Sequence, residues 1–175
     1  MAAAVATRRL GPGYTAILRM AFKQGLPVTP DVARREDLPQ LTELLGRLLA
    51  QEADFTPDAE RQRQALREIL SDASIGRIYV MREGAAVIAM ASLLYTVSTA
   101  EGGKAAWLED VVVRADRRRR GIGRTLLEHV AAQAHAEGVL RITLLTDPGN
   151  EPAHALYGGL GFRFSAMRPM RLKLG

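Results

Sequence analysis

The feature that most constrains this chain is the segment from Trp107 to Arg124, which reads WLEDVVVRADRRRRGIGR. Its apolar, β-branched core, Val111–Val113, has the composition of a buried strand. An arginine run and two glycines, Gly121 and Gly123, follow, and then a helical pattern begins. This order is typical of a phosphate site, because the backbone N–H groups and the dipole at a helix start attract anions.

The net charge of the chain, +5, is concentrated in the same segment. From Arg114 to Arg124 there are six arginines and one acid, Asp116, so this window has a net charge of +5 and the rest of the chain is balanced. A local patch beside a glycine turn favours a small polyanion, since nucleic-acid binders usually spread their charge more widely. Aromatic residues make up only 5% of the chain and none lies within the patch, which argues against base stacking.

The length of 175 residues and the 47% hydrophobic content indicate one globular domain. No apolar run is long enough to span a membrane. The absence of cysteine excludes disulfides and thiolate chemistry, and it is compatible with the cytoplasmic location that we predict. Residues 1–27 contain no acid and are expected to be an N-terminal extension, flexible or helical, before a single domain at 28–175. A targeting segment is the alternative for residues 1–27.

Hydrophobic periodicity predicts an α/β domain with one sheet. Two helices are expected near Asp37 and Thr56, a third from the glycine turn to Gly138, and a short one between Asn150 and Gly161. The predicted strands are Val28–Ala33, Ile75–Met81, Ala85–Val97, one starting at Trp107, Val139–Thr146, Phe162–Met167 and Met170–Leu174. Pro30 indicates that the first of these strands lies at an edge of the sheet. A turn is expected at Arg82–Gly84 and a loop at Ser98–Ala105. The third helix should connect its flanking strands as a right-handed parallel crossover.

Two common phosphate motifs do not fit the turn. A P-loop has lysine and then serine or threonine after its second glycine, whereas Gly123 is followed by Arg124 and Thr125. A dinucleotide fingerprint needs a third glycine, where this chain has Leu126, and an acid about twenty residues later, where it has strand residues.

A different pair of motifs does fit. Arg118, Gly121 and Gly123 form R-x-x-G-x-G directly after a strand. A second motif, N-x-x-A-x-x-x-Y-x-x-x-G-F, is formed downstream by Asn150, Ala153, Tyr157, Gly161 and Phe162. With both motifs at this separation, the sequence from about Val28 to Leu174 resembles the GNAT superfamily of acyl-CoA-dependent N-acyltransferases. The resemblance implies a mixed, mostly antiparallel central sheet of six to seven strands, with helices on both faces and a central parallel β-α-β crossover.

The resemblance also implies acetyl-CoA as cosubstrate and no metal. The turn would bind the pyrophosphate, and the pantetheine arm would pair with the strand at Val111–Val113. The thioester would then lie between that strand and Leu140–Thr146. The residues expected to bind the cofactor are Val111, Val112, Val113, Arg118, Arg119, Arg120, Gly121, Ile122, Gly123, Arg124, Thr125, Asn150 and Tyr157.

Acetyl transfer to an amine needs a base, because an ammonium ion has no lone pair with which to attack the thioester. Glu109 is the first candidate and Asp110 the second, and strand alternation predicts that only one of them faces the acceptor. Tyr157 occupies the position from which many relatives protonate the leaving thiolate. No nucleophile with a partnering base is evident, so direct transfer in a ternary complex is the simpler expectation. The three histidines have no metal-ligand spacing and are expected to serve surface or packing roles.

The acceptor is expected to be an amine on a small molecule, peptide or protein. The loop carrying Glu52, Asp54 and Phe55 is either a solvated connector or part of the acceptor pocket. A homodimer is compatible with the sequence, which specifies no interface. Two alternatives stay open: a non-catalytic module that binds acyl-CoA as a sensor, and a nucleic-acid-binding protein that uses the patch at Arg117–Arg120.

Overall fold

A computed structural model describes residues 27–51 and 56–174. Within these ranges the strands are β1 (Val28–Val32), β2 (Gly76–Glu83), β3 (Ala86–Ser98), β4 (Gly103–Val113) and β5 (Arg141–Leu144), and the α-helices are α1 (Leu38–Leu49), α2 (Ala59–Ser71), α3 (Ile122–Ala136) and α4 (Glu151–Gly158). The predictions for the N-terminal extension up to residue 26 and for Glu52, Asp54 and Phe55 lie outside the described residues. No helix in the described ranges has both the length and the apolar character needed to cross a bilayer.

The five strands form one sheet in the order β1-β2-β3-β4-β5. The first three pairs are antiparallel, whereas β4 and β5 are parallel and α3 connects them. This arrangement confirms the mixed, mostly antiparallel sheet and the parallel crossover. Pro30 lies in the edge strand β1, opposite Met81, where its missing N–H does not interrupt a ladder on both sides.

Apolar side chains cover both faces of the sheet, which confirms the prediction of helices on both faces. On one face, α3 buries Leu126 and Val130 against a layer that includes Leu93 from β3. On the other face, α1 buries Leu41 and Leu45 against a second layer from β2 and β3. In both helices the buried residues are three or four positions apart, the spacing that places them on one side of a helix.

Local signals set most of the helix ends. Gly121 and Gly138 have φ values of 77° and 76°, and they flank α3 in the left-handed conformation that glycine adopts without strain. The start of α2 lies slightly later than predicted, because Asp58 caps it by accepting from the backbone N–H groups of Glu60 and Arg61, both at 3.1 Å. Asp37 precedes α1 at the N-cap position, but its side chain does not cap the helix and instead accepts two hydrogen bonds of 2.7 Å from Arg82.

The prediction of two final strands, Phe162–Met167 and Met170–Leu174, is wrong. A strand forms only as part of a hydrogen-bonded ladder, and none of the described strands pairs with this segment. After the partly buried Phe162, the apolar side chains of this segment are solvent-exposed, as shown by Phe164 at 80% and Leu174 at 92%. The described sheet therefore has five strands rather than six to seven, and the crossover lies at its edge rather than at its centre.

Three other boundaries also differ from the prediction. Half of the predicted loop at Ser98–Ala105 is strand, because β3 and β4 continue to a short turn at residues 99–102. Arg82 and Glu83 belong to β2 and pair with Val87 and Ala86. The strand predicted at Val139–Thr146 is limited to the four residues that pair with β4. In each case the extent of cross-strand pairing, rather than local propensity, determines where the strand ends.

Candidate active site

The predicted phosphate turn lies between the end of β4 and the start of α3. The first α-helical backbone bond runs from the N–H of Thr125 to the carbonyl of Gly121, at 3.0 Å. The N–H groups of Ile122, Gly123 and Arg124 therefore have no partner within the helix, and they lie at the positive end of its dipole. Arg119 also has a left-handed backbone, with φ 60°, which is unfavourable for a side-chain-bearing residue.

The two glycines of the turn differ in what the fold requires of them. Gly121 has φ 77°, so any other residue there would be strained. At Gly123, an added Cβ would lie 3.5 Å from Val113 Cγ2 and 3.6 Å from Leu156 Cδ2, which is ordinary van der Waals contact. The fold therefore explains the glycine at 121, but it does not explain the glycine at 123.

The arginine patch divides into two parts. Arg117 forms ion pairs with Glu83 at 2.7 Å and Asp116 at 2.6 Å, and Arg118 donates to the carbonyl of Val113 at 3.0 Å. Arg119 and Arg120 are exposed and form no ion pair within the described part of the chain. Two of the four consecutive arginines thus hold the turn against β2 and β4, and the other two are available to an anionic ligand.

The structure brings one end of the second motif against the turn. Arg124 Nη1 lies 3.5 Å from the carbonyl oxygen of Gly159, and Leu156 lies beside Gly123. Tyr157, the next residue, is partly buried in edge-to-face contact with Phe162, their ring centroids 5.7 Å apart. Burial raises the pKa of the Tyr157 phenol, so it is a protonated donor at neutral pH.

Asn150 lies at the opposite end of α4 from Tyr157. Its side-chain oxygen caps that helix by accepting from the backbone N–H of Ala153 at 3.2 Å. The seven-residue separation along an α-helix corresponds to roughly 10 Å. Asn150 is therefore placed by the helix cap, and only its amide nitrogen remains available for a ligand.

A β-bulge interrupts β4 at the predicted base. Val112 pairs with Met90 and Glu109 pairs with Ser92, so Asp110 and Val111 together lie opposite the single residue Ala91. Asp110 has φ 53°, a left-handed value within a strand. An extra residue of this kind changes the direction of the neighbouring side chains and ends regular alternation.

Because of the bulge, the prediction that Glu109 and Asp110 point to opposite faces is wrong. Asp110 accepts a hydrogen bond of 2.9 Å from the hydroxyl of Ser92, and Glu109 is the direct cross-strand partner of Ser92. Directly paired residues of antiparallel strands lie on the same face, so the two carboxylates are neighbours.

The two carboxylates have different environments. Burial raises the pKa of Asp110, and the hydrogen bond from Ser92 opposes this effect. Glu109 is exposed, yet partial desolvation and the negative charge of Asp110 raise its pKa, whereas the positive charge of Arg171 opposes them. Glu109 therefore has the accessible carboxylate with increased basicity, and Asp110 is the partly buried neighbour that contributes to it.

Next to the bulge, β4 and β5 separate. Their pairing ends at Leu108 and Leu144, although β4 continues to Val113. No described strand pairs with Val111–Val113 on the side of β5, so this edge has room for an extended ligand, although the Val113 carbonyl already accepts from Arg118. An apolar cavity of about 230 Å³ lies beside the paired part, lined in part by Leu108, Ile142 and Phe162.

Two of the three histidines make packing contacts, and His135 is exposed on α3. His129 on α3 contacts the ring of Tyr79 edge-on at 5.7 Å, and burial lowers its pKa. His154 on α4 contacts Phe164 edge-on at 5.0 Å. Within residues 27–51 and 56–174, no cluster of three or more acidic or histidine side chains is arranged to hold a metal ion.

Sequence reasoning did not identify Ser92 as part of this site. It is completely buried in β3, and its hydroxyl bonds to the candidate site across the sheet. The only signal in the sequence is one hydroxyl residue within the apolar run Ala86–Leu94. Such a residue in a buried strand needs a hydrogen-bond partner, but the sequence does not reveal which one.

Comparison with known proteins supports the same interpretation of the two motifs. A sequence model of the Acetyltransferase (GNAT) family matches residues 40–162. The [ribosomal protein bS18]-alanine N-acetyltransferase of Salmonella typhimurium is 40% identical over 63 residues, which are 36% of this chain and 43% of that protein. Its Escherichia coli K12 counterpart is 38% identical over the same length. The chain thus spans less than half the length of these curated relatives.

Two solved structures share the fold over most of their length. An integron cassette protein from the mobile metagenome of Cole Harbour Salt Marsh is 25% identical with a TM-score of 0.73, covering 83% of this chain and 90% of that one. A predicted acetyltransferase from Clostridium acetobutylicum, solved with acetyl-CoA, is 18% identical with a TM-score of 0.69, covering 84% and 96%. With the family match over most of the described domain, these findings show that the chain belongs to the GNAT family of acetyltransferases.

Proposed function

We propose that the protein is an N-acetyltransferase that transfers the acetyl group of acetyl-CoA directly to a primary amine in a ternary complex. The observation that carries this proposal is Gly123. It lies at the start of α3 beside N–H groups without a partner in the helix, and the fold has room for a Cβ atom there. A glycine that folding does not require, placed at an anion-binding helix start, is explained by the close approach of a phosphate.

The residues around Gly123 fit the remaining parts of acetyl-CoA. The N–H groups from Ile122 to Arg124 would hold the pyrophosphate, and the exposed Arg119 and Arg120 would pair with further phosphate charge. The open backbone edge at Val111–Val113 would bind the amides of the pantetheine arm as a strand does. The amide nitrogen of Asn150 and the hydroxyl of Thr125 complete the proposed set.

The proposed chemistry uses two titratable groups, Glu109 beside the bulge of β4 and Tyr157 on α4. Acetyl-CoA supplies an activated acetyl thioester. Glu109 removes the proton from the attacking amine, directly or through water, while the N–C bond forms and the C–S bond breaks. Tyr157 donates its phenolic proton to the departing thiolate. Each raised pKa suits its role, since it makes Glu109 a stronger base and keeps Tyr157 protonated.

The first acceptor to test is the α-amine of a peptide that begins with alanine. The relatives named above are alanine N-acetyltransferases of a ribosomal protein, and 63 residues of this chain resemble them. The adjacent carboxylates of Glu109 and Asp110 would attract any cationic amine, on a peptide or on a small molecule. Polyamines, aminoglycosides and amino acids therefore belong in the same panel as the peptide.

The deciding experiment measures thiol release from acetyl-CoA against this panel and confirms the acetylated product by mass spectrometry. Tyr157→Phe and Glu109→Gln should each reduce kcat by about 10²–10⁴-fold, the range of general acid–base catalysis, while the Kd for acetyl-CoA stays within about twofold. Gly46→Ala, in α1, is the control for effects of protein preparation and of altered stability. Full turnover in both catalytic variants would refute their assigned roles.

The same experiments address the two alternatives. Acetyl-CoA binding without thiol release for any amine would favour the sensor module. The nucleic-acid alternative is less well supported, because Arg117 and Arg118 of its patch are engaged within the protein. It predicts binding with a steep salt dependence that acetyl-CoA does not compete.

A further inference from the structure

Ser92 is an unusual polar residue in the central sheet. Ser92 is 0% exposed, as are its neighbours Ala91 and Leu93. Its hydroxyl nevertheless has a partner, since it donates to Asp110 Oδ2 in the bulge at 2.9 Å. Asp110 in turn has the left-handed φ of 53° that the bulge imposes. The hydroxyl therefore joins β3 to the most irregular residue of β4, one position from the proposed base.

We propose that Ser92 is a positioning residue of the acetyltransfer site, which holds Asp110 as a fixed anion beside Glu109 and thereby maintains the basicity of Glu109. This inference rests on the proposed function of Glu109. It assigns Asp110 a role other than that of the base, because its side chain is partly buried and one of its oxygens already accepts from Ser92. Asp110 acts on the acceptor site through its charge and through the shape of the bulge.

The electrostatic consequence has a definite sign. The hydrogen bond from Ser92 lowers the pKa of Asp110, so removal of the hydroxyl raises that pKa further above the usual value. A neutral Asp110 no longer repels a negative charge on Glu109, so the pKa of Glu109 falls. Loss of a buried serine would thus weaken a base with which it has no bond of its own.

Few other charges act on this pair. Arg171, from the C-terminal segment, lowers the pKa of Glu109 and is present in all variants considered. Helix α1 packs on the same side of the sheet, but its charged residues Glu43 and Arg47 pair with each other, 2.5 Å apart, and line a cavity with Arg114. Among the described residues, Ser92 is the one side chain whose hydrogen bond lowers the pKa of Asp110.

The test is a pH titration of the side-chain carboxyl carbons by ¹³C NMR on the full-length protein without any ligand. Ser92→Ala should increase the proton affinity of Asp110 and decrease that of Glu109, and Ser92→Thr, which keeps the hydroxyl, should restore both titration curves. Asp110→Asn should decrease the proton affinity of Glu109 to the same extent. The control is Ser98→Ala, which removes another buried hydroxyl from β3, where it accepts from Glu101.

Two results would overturn the proposal. One is a Ser92→Ala protein whose carboxyl titrations coincide with those of the unmodified protein. If Ser92→Ala does not fold, Asp110→Asn decides, since an unchanged Glu109 titration in that variant contradicts the coupling. With an amine accepted by the unmodified enzyme, the acid limb of kcat/KM should move to lower pH in Ser92→Ala. A lack of turnover with every amine would instead refute the proposed function, and it would leave the NMR test intact.

Discussion

Replacement of Gly123 by alanine separates the requirements of the fold from those of the proposed cofactor. The new Cβ would contact Val113 and Leu156 at 3.5 and 3.6 Å, distances that need no rearrangement. Alanine is the more favourable residue within a helix, by roughly 0.5–1 kcal/mol. In a protein of this size, 1 kcal/mol corresponds to about 2–4 °C in Tm. The melting temperature of Gly123→Ala should therefore be unchanged or up to about 4 °C higher.

The effect on acetyl-CoA binding should have the opposite sign. A methyl group at 123 would occupy the space through which a phosphate approaches the N–H groups of the first turn of α3. We expect at least a tenfold increase in Kd, which corresponds to about 1.4 kcal/mol. Gly121→Ala provides the contrast, because its φ of 77° costs a side-chain-bearing residue roughly 1–2 kcal/mol and should lower Tm.

Calorimetric titration with acetyl-CoA and thermal unfolding of the same samples are the two assays. Gly46→Ala is the matched control, since it is also a helical glycine whose added Cβ would meet only ordinary contact, 3.5 Å from Gln62 Oε1. It should gain similar stability and bind acetyl-CoA normally. If Gly123→Ala binds acetyl-CoA as tightly as Gly46→Ala, the glycine at 123 is not needed for the approach of a phosphate, and the proposed role is refuted.

Three further predictions concern ion pairs. Arg82→Ala leaves Asp37 buried without its partner and should cost about 3–5 kcal/mol in chemical denaturation at pH 7. Because Arg82 lowers the pKa of Asp37, this difference should shrink as the pH falls below about 4, and a constant difference would contradict the reasoning. Glu137→Gln disturbs hydrogen bonds from Arg77, Tyr95 and Lys104 at the far end of α3, so it should lower Tm with an unchanged Kd for acetyl-CoA. Arg117→Ala should lower Tm, whereas Arg120→Ala should weaken acetyl-CoA binding and its salt dependence without lowering Tm.

Much of the fold was predictable because its signals are local. The leucines of α1 repeat at helical spacing, Gly121 and Gly138 mark the ends of α3, and Pro30 indicates an edge strand. Each depends on backbone conformation or on periodicity, which a residue and its near neighbours determine. The incorrect strand predictions concern pairing between strands. The alternating segment Met170–Leu174 has a strand-like pattern but no partner strand among the described residues.

The features of the candidate site also differ in whether they depend on local sequence or on contacts between distant residues. The glycine turn, the arginine patch and the motif from Asn150 to Phe162 could be recognised from the sequence, because each lies in one continuous stretch and is defined by its residue types and their spacing. Which arginines remain available depends on the folded arrangement, since the partner of Arg117 is Glu83, on another strand. Likewise, Glu109 and Asp110 are neighbours because of a bulge that exists only where β4 pairs with β3. Side-chain direction in a strand depends on the register with the adjoining strand, and residues distant in sequence set that register.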